Sequence, residues 1–220
     1  MAKLARDEAI ALKIAAIYPH AKVLDVGSGR GEFLVAATKV GLTSVGLELS
    51  DAMVEDARAT YGVTVLNETA EEHATKSQSY DAFVLNAVIE HVMDPDALIK
   101  HIRKMARPGA LLYIDCPNEP NLLTQAGDII SRIRRSPKVL NLAPTFPPYH
   151  VWGFNLGALK VLLDKYEFQI DSHRIYASPK VPSNGGLDTF KSLIATQVNR
   201  IANLTGRAHN LYLWSHLKSP

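Results

Sequence analysis

Short apolar runs alternate with amphipathic stretches through the first half of the chain. Runs of mainly apolar residues predict buried strands at 22–26, 43–47, 63–66, 81–85 and 110–114. Between them, apolar residues recur at helical spacing and predict helices at 4–18, 31–40, 51–61 and from 94 to the residue before Pro108. Strands that alternate with helices in this way form a parallel sheet with right-handed crossovers. The pattern therefore predicts an α/β fold.

The alternation stops over residues 117–153, which contain six prolines and one amphipathic helix. The helix runs from Leu122 to Ile133 with an apolar stripe, and basic residues follow at its end: Arg132, Arg134, Arg135 and Lys138. Regular elements then resume as helices near 155–166 and 187–203 and strands at 168–176 and 211–214. We therefore predict one domain over 1–220, with seven strands, helices on both faces, and a helical lid insertion at 117–153 that covers the substrate.

The composition places the chain among globular proteins. Hydrophobic residues make up 47% and charged residues 21%, which allows one sizeable core. Cys116 is the single cysteine, so the chain has no internal disulfide and no cysteine-rich zinc site, as is typical of the cytoplasm. Charges interrupt the N-terminal segment, which excludes a signal-peptide core, and no apolar run approaches the roughly 20 residues that span a bilayer. We expect a cytoplasmic protein.

Charge is distributed unevenly along the chain. The net charge is +2 in all, but residues 1–116 carry −4 and residues 117–220 carry +6. One interpretation is ordinary surface variation. The other is that the second half contacts an anionic substrate or surface.

A glycine-rich turn directly follows the first predicted strand. The segment reads Val23-Leu24-Asp25-Val26-Gly27-Ser28-Gly29-Arg30-Gly31, and Glu48 closes the second strand. Glycines allow a sharp turn and a ligand against bare backbone, and an acid at the second strand end can accept hydrogen bonds from a ribose diol. A dinucleotide fingerprint would place its third glycine at Glu32, where an acid repels a pyrophosphate. The spacing therefore favours a cationic nucleoside ligand over NAD, although a plain turn in an unrelated α/β protein has the same local pattern.

These motifs resemble those of the class I S-adenosylmethionine (SAM)-dependent methyltransferases. The resemblance implies a Rossmann-like, mostly parallel seven-stranded sheet with the last strand inserted antiparallel, SAM as cofactor and S-adenosylhomocysteine as product. It also implies that Asp25 approaches the SAM ammonium, or alternatively holds the glycine loop. The full set of implied cofactor-binding residues is Asp25, Gly27, Ser28, Gly29, Gly31, Glu48, Leu49, Met53, Thr69, Ala70 and Asn86.

A second motif, Glu90-His91-Val92, follows the fourth strand. It resembles a subgroup that includes ubiquinone-pathway, sugar and natural-product O-methyltransferases, as do Cys116-Pro117-Asn118 and the segment from Tyr149 to Phe154. A hydroxyl acceptor benefits from a base with a pKa near neutrality, so His150 and His91 are the candidate catalytic residues. Alternatively, both are structural histidines, or Glu90 and His91 hold a divalent metal, for which the sequence supplies no complete ligand set.

The predicted reaction is O-methylation of a small-molecule or glycan hydroxyl. Two alternatives remain open: methylation of a lipid-tailed, quinone-like substrate at a membrane surface, and a non-catalytic SAM-binding module. The motif of enzymes that methylate base amino groups is absent after strand four, and Cys116-Pro117 reverses the order that cytosine-C5 enzymes need. Nucleic acid is also disfavoured, because the basic residues lack interleaved aromatics. The sequence does not indicate an oligomeric state.

Overall fold

A computed structural model of the chain describes residues 2–135, 149–177 and 187–219. It contains seven strands and eight helices within those residues. The strands are β1 (Lys22–Val26), β2 (Thr43–Leu47), β3 (Val65–Leu66), β4 (Tyr80–Asn86), β5 (Ala106–Pro117), β6 (Phe168–Tyr176) and β7 (Asn210–Leu217). The helices are α1 (Ala2–Ile17), α2 (Glu32–Lys39), α3 (Asp51–Tyr61), α4 (Ala70–Ala74), α5 (Pro95–Met105), α6 (Leu122–Ile133), α7 (Leu156–Lys165) and α8 (Leu187–Leu204).

All seven strands form one sheet in the order β3-β2-β1-β4-β5-β7-β6. Strands β1 to β5 pair in parallel, whereas β7 pairs antiparallel with both β5 and β6. The predicted fold class is confirmed, including the antiparallel last strand. Because the chain order reverses beside β1, the carboxyl ends of β1 and β4 flank a crevice, which is where ligands bind in open α/β sheets.

Each face of the sheet packs against its own set of helices. Alternate strand residues such as Leu24, Phe83 and Leu112 form one core cluster with side chains of α5 and α7. Their neighbours, such as Val23 and Val84, form the other cluster with side chains of α1, α2 and α3. This alternation follows from the two-residue period of a strand, and it explains why the parallel strands are apolar on both faces.

A buried polar network connects the end of β3 to the start of β4. The His73 Nδ1 lies 2.5 Å from Glu68 Oε1, and its Nε2 lies 2.6 Å from the Tyr80 hydroxyl. Lys76 also donates to Glu68. Burial raises the pKa of Glu68, but hydrogen bonds from Lys76 and His73 outweigh it, so that the pKa lies below its usual value. The network fixes the short helix α4 against the sheet.

Several element boundaries differ from those that the sequence predicts. Strand β5 begins at Ala106 instead of residue 110. Its exposed first residues include Pro108, which a strand tolerates where no backbone N–H is needed for a hydrogen bond to the neighbouring strand. Strand β3 is limited to Val65–Leu66, and α4 was not predicted. The buried Cys116 lies in the core at the end of β5.

The described part of the predicted insertion contains α6. Its start is attached to the segment before β7, because the Leu122 N–H donates to the Arg207 carbonyl and the Asn118 N–H donates to the His209 carbonyl. Asn121 caps the helix by accepting from the N–H groups of Leu123 and Thr124. Pro137, Pro144, Pro147, Pro148 and Lys138 lie outside the described residues. Movement of the insertion as a lid stays a prediction.

Candidate functional site

The glycine loop adopts the conformation that its sequence predicts. Gly27, Gly29 and Gly31 have φ values of +69°, +56° and +80°, in the left-handed region that side chains other than glycine rarely adopt. A Cβ on Gly27 would lie 2.6 Å from Val88 Cγ2, whereas a Cβ on Gly29 would meet only the Met53 sulfur at 4.0 Å. Gly27 is therefore needed for close packing, and Gly29 presents open backbone at the edge of the sheet.

Ser28 shapes this loop from within. Its N–H donates to the Leu47 carbonyl, and its carbonyl accepts from the Gly31 N–H. Its Oγ is buried against Gly46, where an added Cβ would approach it to 2.4 Å. The structure therefore places the Ser28 side chain towards β2, on the inner side of the loop.

Glu48 ties the glycine loop to the end of β2. One carboxylate oxygen accepts from the Gly29 N–H at 2.9 Å, and the other accepts from the N–H groups of Leu49 at 2.8 Å and Ser50 at 2.9 Å. Loop anchoring, which the sequence left as an alternative role for Asp25, is thus a role of Glu48. Because a carboxylate offers about four acceptor positions, it retains capacity for a ligand hydroxyl.

Apolar side chains flank this edge on the β2 side. Leu49 is 67% exposed and Met53 is 44% exposed. Thr69 caps α4 through a capping box with Glu72, so its hydroxyl is already used for structure. Ala70 is buried in the core below it. Leu49 and Met53 therefore offer an apolar wall for a planar ring, whereas Thr69 and Ala70 offer mainly backbone.

Asp25 and Asn86 lie at the ends of the two central strands. Asp25 is buried in the β1 ladder opposite Gly46 and Val84. The Asn86 amide nitrogen lies 3.5 Å from an Asp7 carboxylate oxygen on α1, and Asn86 Oδ1 is buried with no hydrogen-bond partner among the described residues. The sequence did not identify Asp7, which brings α1 to the same edge.

The second predicted motif forms a compact cluster with the later histidine. His91 and His150 have ring centroids 4.9 Å apart, and His91 Nε2 lies 3.9 Å from Glu90 Oε1. One candidate ligand atom from each of Glu90, His91 and His150 lies within 4.8 Å of the others. Residues separated by about 60 positions in sequence are thus brought together, and both predicted catalytic histidines belong to one site.

Backbone contacts hold this cluster in place. The N–H groups of Val151 and Trp152 donate to the Glu90 carbonyl at 2.8 and 3.2 Å, and His91 Nδ1 lies 2.9 Å from the Tyr149 carbonyl oxygen. A carbonyl only accepts, so the His91 Nδ1 carries a proton, and a neutral His91 has its lone pair on Nε2. The loop after β4 and the segment before α7 therefore form one unit.

Glu90 is the most buried member of the cluster. It is 1% exposed, and its Oε2 has no hydrogen-bond partner among the described residues. Burial raises the pKa of Glu90 to about 7, while burial and the neighbouring His91 lower the pKa of His150. The cluster therefore combines an acid that ionises near neutrality with a histidine that favours its neutral form.

A family model described as a methyltransferase domain matches residues 3–173. This chain belongs to that methyltransferase family. The match covers the glycine loop, Glu48, the Glu90-His91 motif and His150, and it confirms the family that the sequence predicted. Proteins that share a fold of this kind differ in the acceptors on which they act.

Curated relatives match part of the chain. A ubiquinone biosynthesis O-methyltransferase from Proteus mirabilis is 32% identical over 103 residues, which are 44% of this chain and 42% of that protein. A protein of the same description from Klebsiella pneumoniae is 32% identical over 103 residues, 44% of this chain and 43% of that protein. The match thus spans less than half the length of these relatives.

Solved structures share the fold over nearly the whole chain. A SAM-dependent methyltransferase from Archaeoglobus fulgidus superposes with a TM-score of 0.62 at 17% identity, covering 96% of this chain and 94% of that one. A magnesium protoporphyrin IX methyltransferase from Synechocystis with bound S-adenosylhomocysteine gives 0.61 at 15% identity, covering 98% and 83%. At this identity the comparison establishes the fold alone.

Proposed function

We propose that this methyltransferase transfers the methyl group of SAM to a hydroxyl of a small-molecule or glycan acceptor. The observation that carries the proposal is the placement of two sites at one edge of the sheet: the glycine loop with Glu48 at the ends of β1 and β2, and the Glu90, His91 and His150 cluster after β4. The first site suits a nucleoside, and the second offers side chains that can accept a proton from a hydroxyl group.

The residues at the cofactor end fit SAM. Gly29 offers open backbone, Glu48 has spare acceptor capacity for a ribose hydroxyl, and Leu49 and Met53 offer an apolar surface for adenine. The cofactor, when bound, supplies an electrophilic methyl group with a good leaving group. Asp25, near the end of β1, provides negative charge that suits the SAM ammonium.

The residues at the acceptor end can remove a proton. His91 donates from Nδ1 to the Tyr149 carbonyl, so its orientation is fixed and its Nε2 is the atom that accepts. His150 packs against it at 4.9 Å, and either imidazole can take the hydroxyl proton as the oxygen attacks the methyl carbon. The enzyme otherwise contributes alignment of the two reactants.

A divalent metal is the second candidate for the acceptor end. Glu90, His91 and His150 supply one carboxylate and two imidazoles within 4.8 Å of each other, and the unpartnered Glu90 Oε2 fits a cation as well as a proton. A metal held by these three residues would polarise the acceptor oxygen. The two hypotheses predict opposite effects of a chelator on activity: a metal-dependent enzyme loses activity, and an enzyme with a histidine base keeps it.

A direct test measures S-adenosylhomocysteine release from purified protein with SAM and a panel of hydroxyl acceptors. Release with a hydroxyl acceptor supports the proposal, and release only with amine acceptors contradicts O-methylation. Loss of release with a chelator and its return with Mg²⁺ supports the metal, whereas full activity in chelator supports the base. Binding of SAM without release for any acceptor class would favour the non-catalytic module.

A membrane-bound acceptor is favoured by one surface feature. On α6, Leu123, Ile129 and Ile133 are exposed, and Arg132, Arg134 and Arg135 are exposed at its end. Such a surface suits an anionic lipid bilayer. Among the described residues, no helix has the length and apolar content to cross a bilayer. Charge reversal at Arg134 and Arg135 should abolish liposome binding if this surface docks, and should raise the acceptor KM if the arginines bind an anionic acceptor instead.

The cellular compartment belongs to the same proposal. The chain has a single cysteine, Cys116, and such low cysteine usage suits the cytoplasm that the sequence predicted. Fractionation of cells that express the tagged protein tests this, and recovery in an extracytoplasmic fraction would contradict it.

A further inference from the structure

A large cleft lies on the face of the sheet that packs against α1. It has a volume of about 810 Å³ and lies between one side of α1 and the strands β5, β7 and β6. Arg6, Ala9, Ile10 and Lys13, which share one side of α1, form its wall. Neither the glycine loop nor the Glu90, His91 and His150 cluster contributes to its lining. The cleft is therefore a separate feature that the sequence did not reveal.

The floor of the cleft follows from the register of the antiparallel strands. Trp214 pairs with Tyr113 on one side and with Ser172 on the other. Tyr212, two residues earlier on β7, pairs with Asp115 and with Arg174. Because side chains two apart on a strand share a face, these residues form two adjacent rows on the same surface.

Aromatic rings form a continuous band along this floor. Tyr113 lies 4.9 Å from Trp214 and 6.0 Å from Tyr212, and Tyr212 lies 5.7 Å from Tyr176, all between ring centroids. Tyr176 is near the carboxyl end of β6, so the band runs from the middle of the sheet towards the ligand edge. Tyr113 and Trp214 are buried, whereas Tyr212 and Tyr176 are half-buried, so the last two offer ring faces on which a flat ring can stack.

Cations border the aromatic band. The Lys13 ammonium lies 4.3 Å from the Trp214 ring centroid, and the Arg174 guanidinium lies 5.8 Å from that of Tyr176. Neither forms a salt bridge with a carboxylate in the described part of the chain, and the described lining residues include no acid. Burial lowers the pKa of Lys13, and the nearby Asp171, which pairs with His216, opposes this only in part, so an anionic ligand would further stabilise the charged lysine. The cleft therefore suits a ring that carries negative charge.

The third cation connects the cleft to the methyl-transfer edge. Arg6 Nη1 donates to Asp115 at 3.0 Å, and Asp115 pairs with Asn86 across the β4–β5 ladder. Asp7, next to Arg6, lies within 3.5 Å of the Asn86 amide. Through Arg6 and Asp115, one end of the cleft thus lies next to Asn86 at the end of β4, close to the proposed site of methyl transfer.

We propose that this cleft binds the non-reacting part of the acceptor, an aromatic ring with a carboxylate or phosphate, with the ring on Tyr212 and Tyr176 and the anion near Lys13 and Arg174. The proposal rests on the proposed methyltransferase function and adds the chemical class of its acceptor. It assigns Lys13 and Arg174 to acceptor specificity.

The test uses 3,4-dihydroxybenzoate and phenyl phosphate as probes, with catechol as the neutral comparison. Trp214 and Trp152 are the two tryptophans of the chain, so a Trp152→Phe background makes Trp214 in the cleft the only tryptophan reporter. We expect saturable quenching of Trp214 by at least one anionic probe and weak binding of catechol. In the double variant Lys13→Gln, Arg174→Gln, probe affinity should fall about tenfold or more, since charge-assisted hydrogen bonds are lost.

Two controls separate the possible failures. Lys160→Gln removes an exposed lysine on α7 that pairs with Asp164, and it should leave probe affinity unchanged. SAM affinity, measured by calorimetry, should be unchanged in the double variant. If SAM binds but neither anionic probe does, or if the double variant keeps full probe affinity, the cleft proposal is overturned and the proposed function stands. If SAM itself does not bind, the proposed function fails, and probe binding still decides for or against an anion site.

Discussion

Replacing Glu48 by alanine tests the link between loop order and cofactor binding. The substitution removes an acceptor that holds three backbone N–H groups, those of Gly29, Leu49 and Ser50, at 2.8 to 2.9 Å. Each hydrogen bond to a charged group contributes about 1.5–3 kcal/mol, but Glu48 is only partly buried and water can replace part of the loss. We expect the free energy of unfolding without ligand to fall by about 2 kcal/mol, as measured by denaturant titration.

The same variant should lose cofactor affinity separately. If Glu48 also accepts from the ribose diol, SAM affinity measured by calorimetry should fall by roughly 5- to 150-fold, which corresponds to about 1–3 kcal/mol. Glu48→Gln keeps one acceptor oxygen, so its SAM affinity should lie between those of the unmodified protein and of Glu48→Ala. Glu55→Ala, which removes an exposed carboxylate from α3, is the matched control and should change neither quantity. Loss of stability with unchanged SAM affinity would show that Glu48 only anchors the loop and would refute its role in the ribose site.

Three further outcomes follow from the structure. His150→Ala or His91→Ala, whichever removes the base, should lower turnover by about 10²–10⁴-fold with SAM affinity intact, and full turnover in both variants would contradict a histidine base. Gly27→Ala should lower the free energy of unfolding by about 1–3 kcal/mol, measured by thermal or denaturant unfolding. The loss should exceed that of the control Gly62→Ala, because Gly62 has a similar φ but no atom within 4 Å of an added Cβ. Equal losses in the two variants would show that the contact with Val88 is relieved without cost. Glu68→Gln should destabilise at pH 7. The difference should shrink as the pH falls from the ordinary carboxyl pKa through the lower pKa that Glu68 has in the folded state, because the ionised carboxylate is the form that the fold stabilises. A difference that is constant with pH would contradict this.

The sequence predicted the parallel half of the fold well because each strand there is a short apolar run. Runs of this length between turn residues are typical of buried strands, and the intervening helices end at recognisable residues such as Gly62 with its φ of +64°. Helix α4 was missed because its five residues are too few to show a period. The capping box between Thr69 and Glu72 was the available signal, and it lay within a segment that was interpreted as cofactor contact.

The sequence supplied candidate residues for the site but no information on their contacts. Glu90, His91 and His150 were identified from motifs, yet only the structure shows that the Tyr149 carbonyl orients His91 and that Val151 and Trp152 dock on Glu90. These contacts join segments about 60 positions apart, and local patterns carry no information about such pairs. The role of Glu48 as loop anchor was missed for the same reason.

If the cleft binds the acceptor as proposed, the two halves of the sheet contribute differently to one reaction. In the parallel half, strands end together at one edge, and the turns there present backbone and strand-end acids, which suits a cofactor of constant shape. In the antiparallel half, β7 returns between β5 and β6, so alternate side chains such as Tyr212 and Trp214 line a face instead of an edge. Side chains on a face can be substituted individually without disturbing the backbone hydrogen bonds between the strands. Acceptor specificity is therefore expected to depend on this face, while Arg6 and Asp115 connect it to the edge where we propose that transfer occurs.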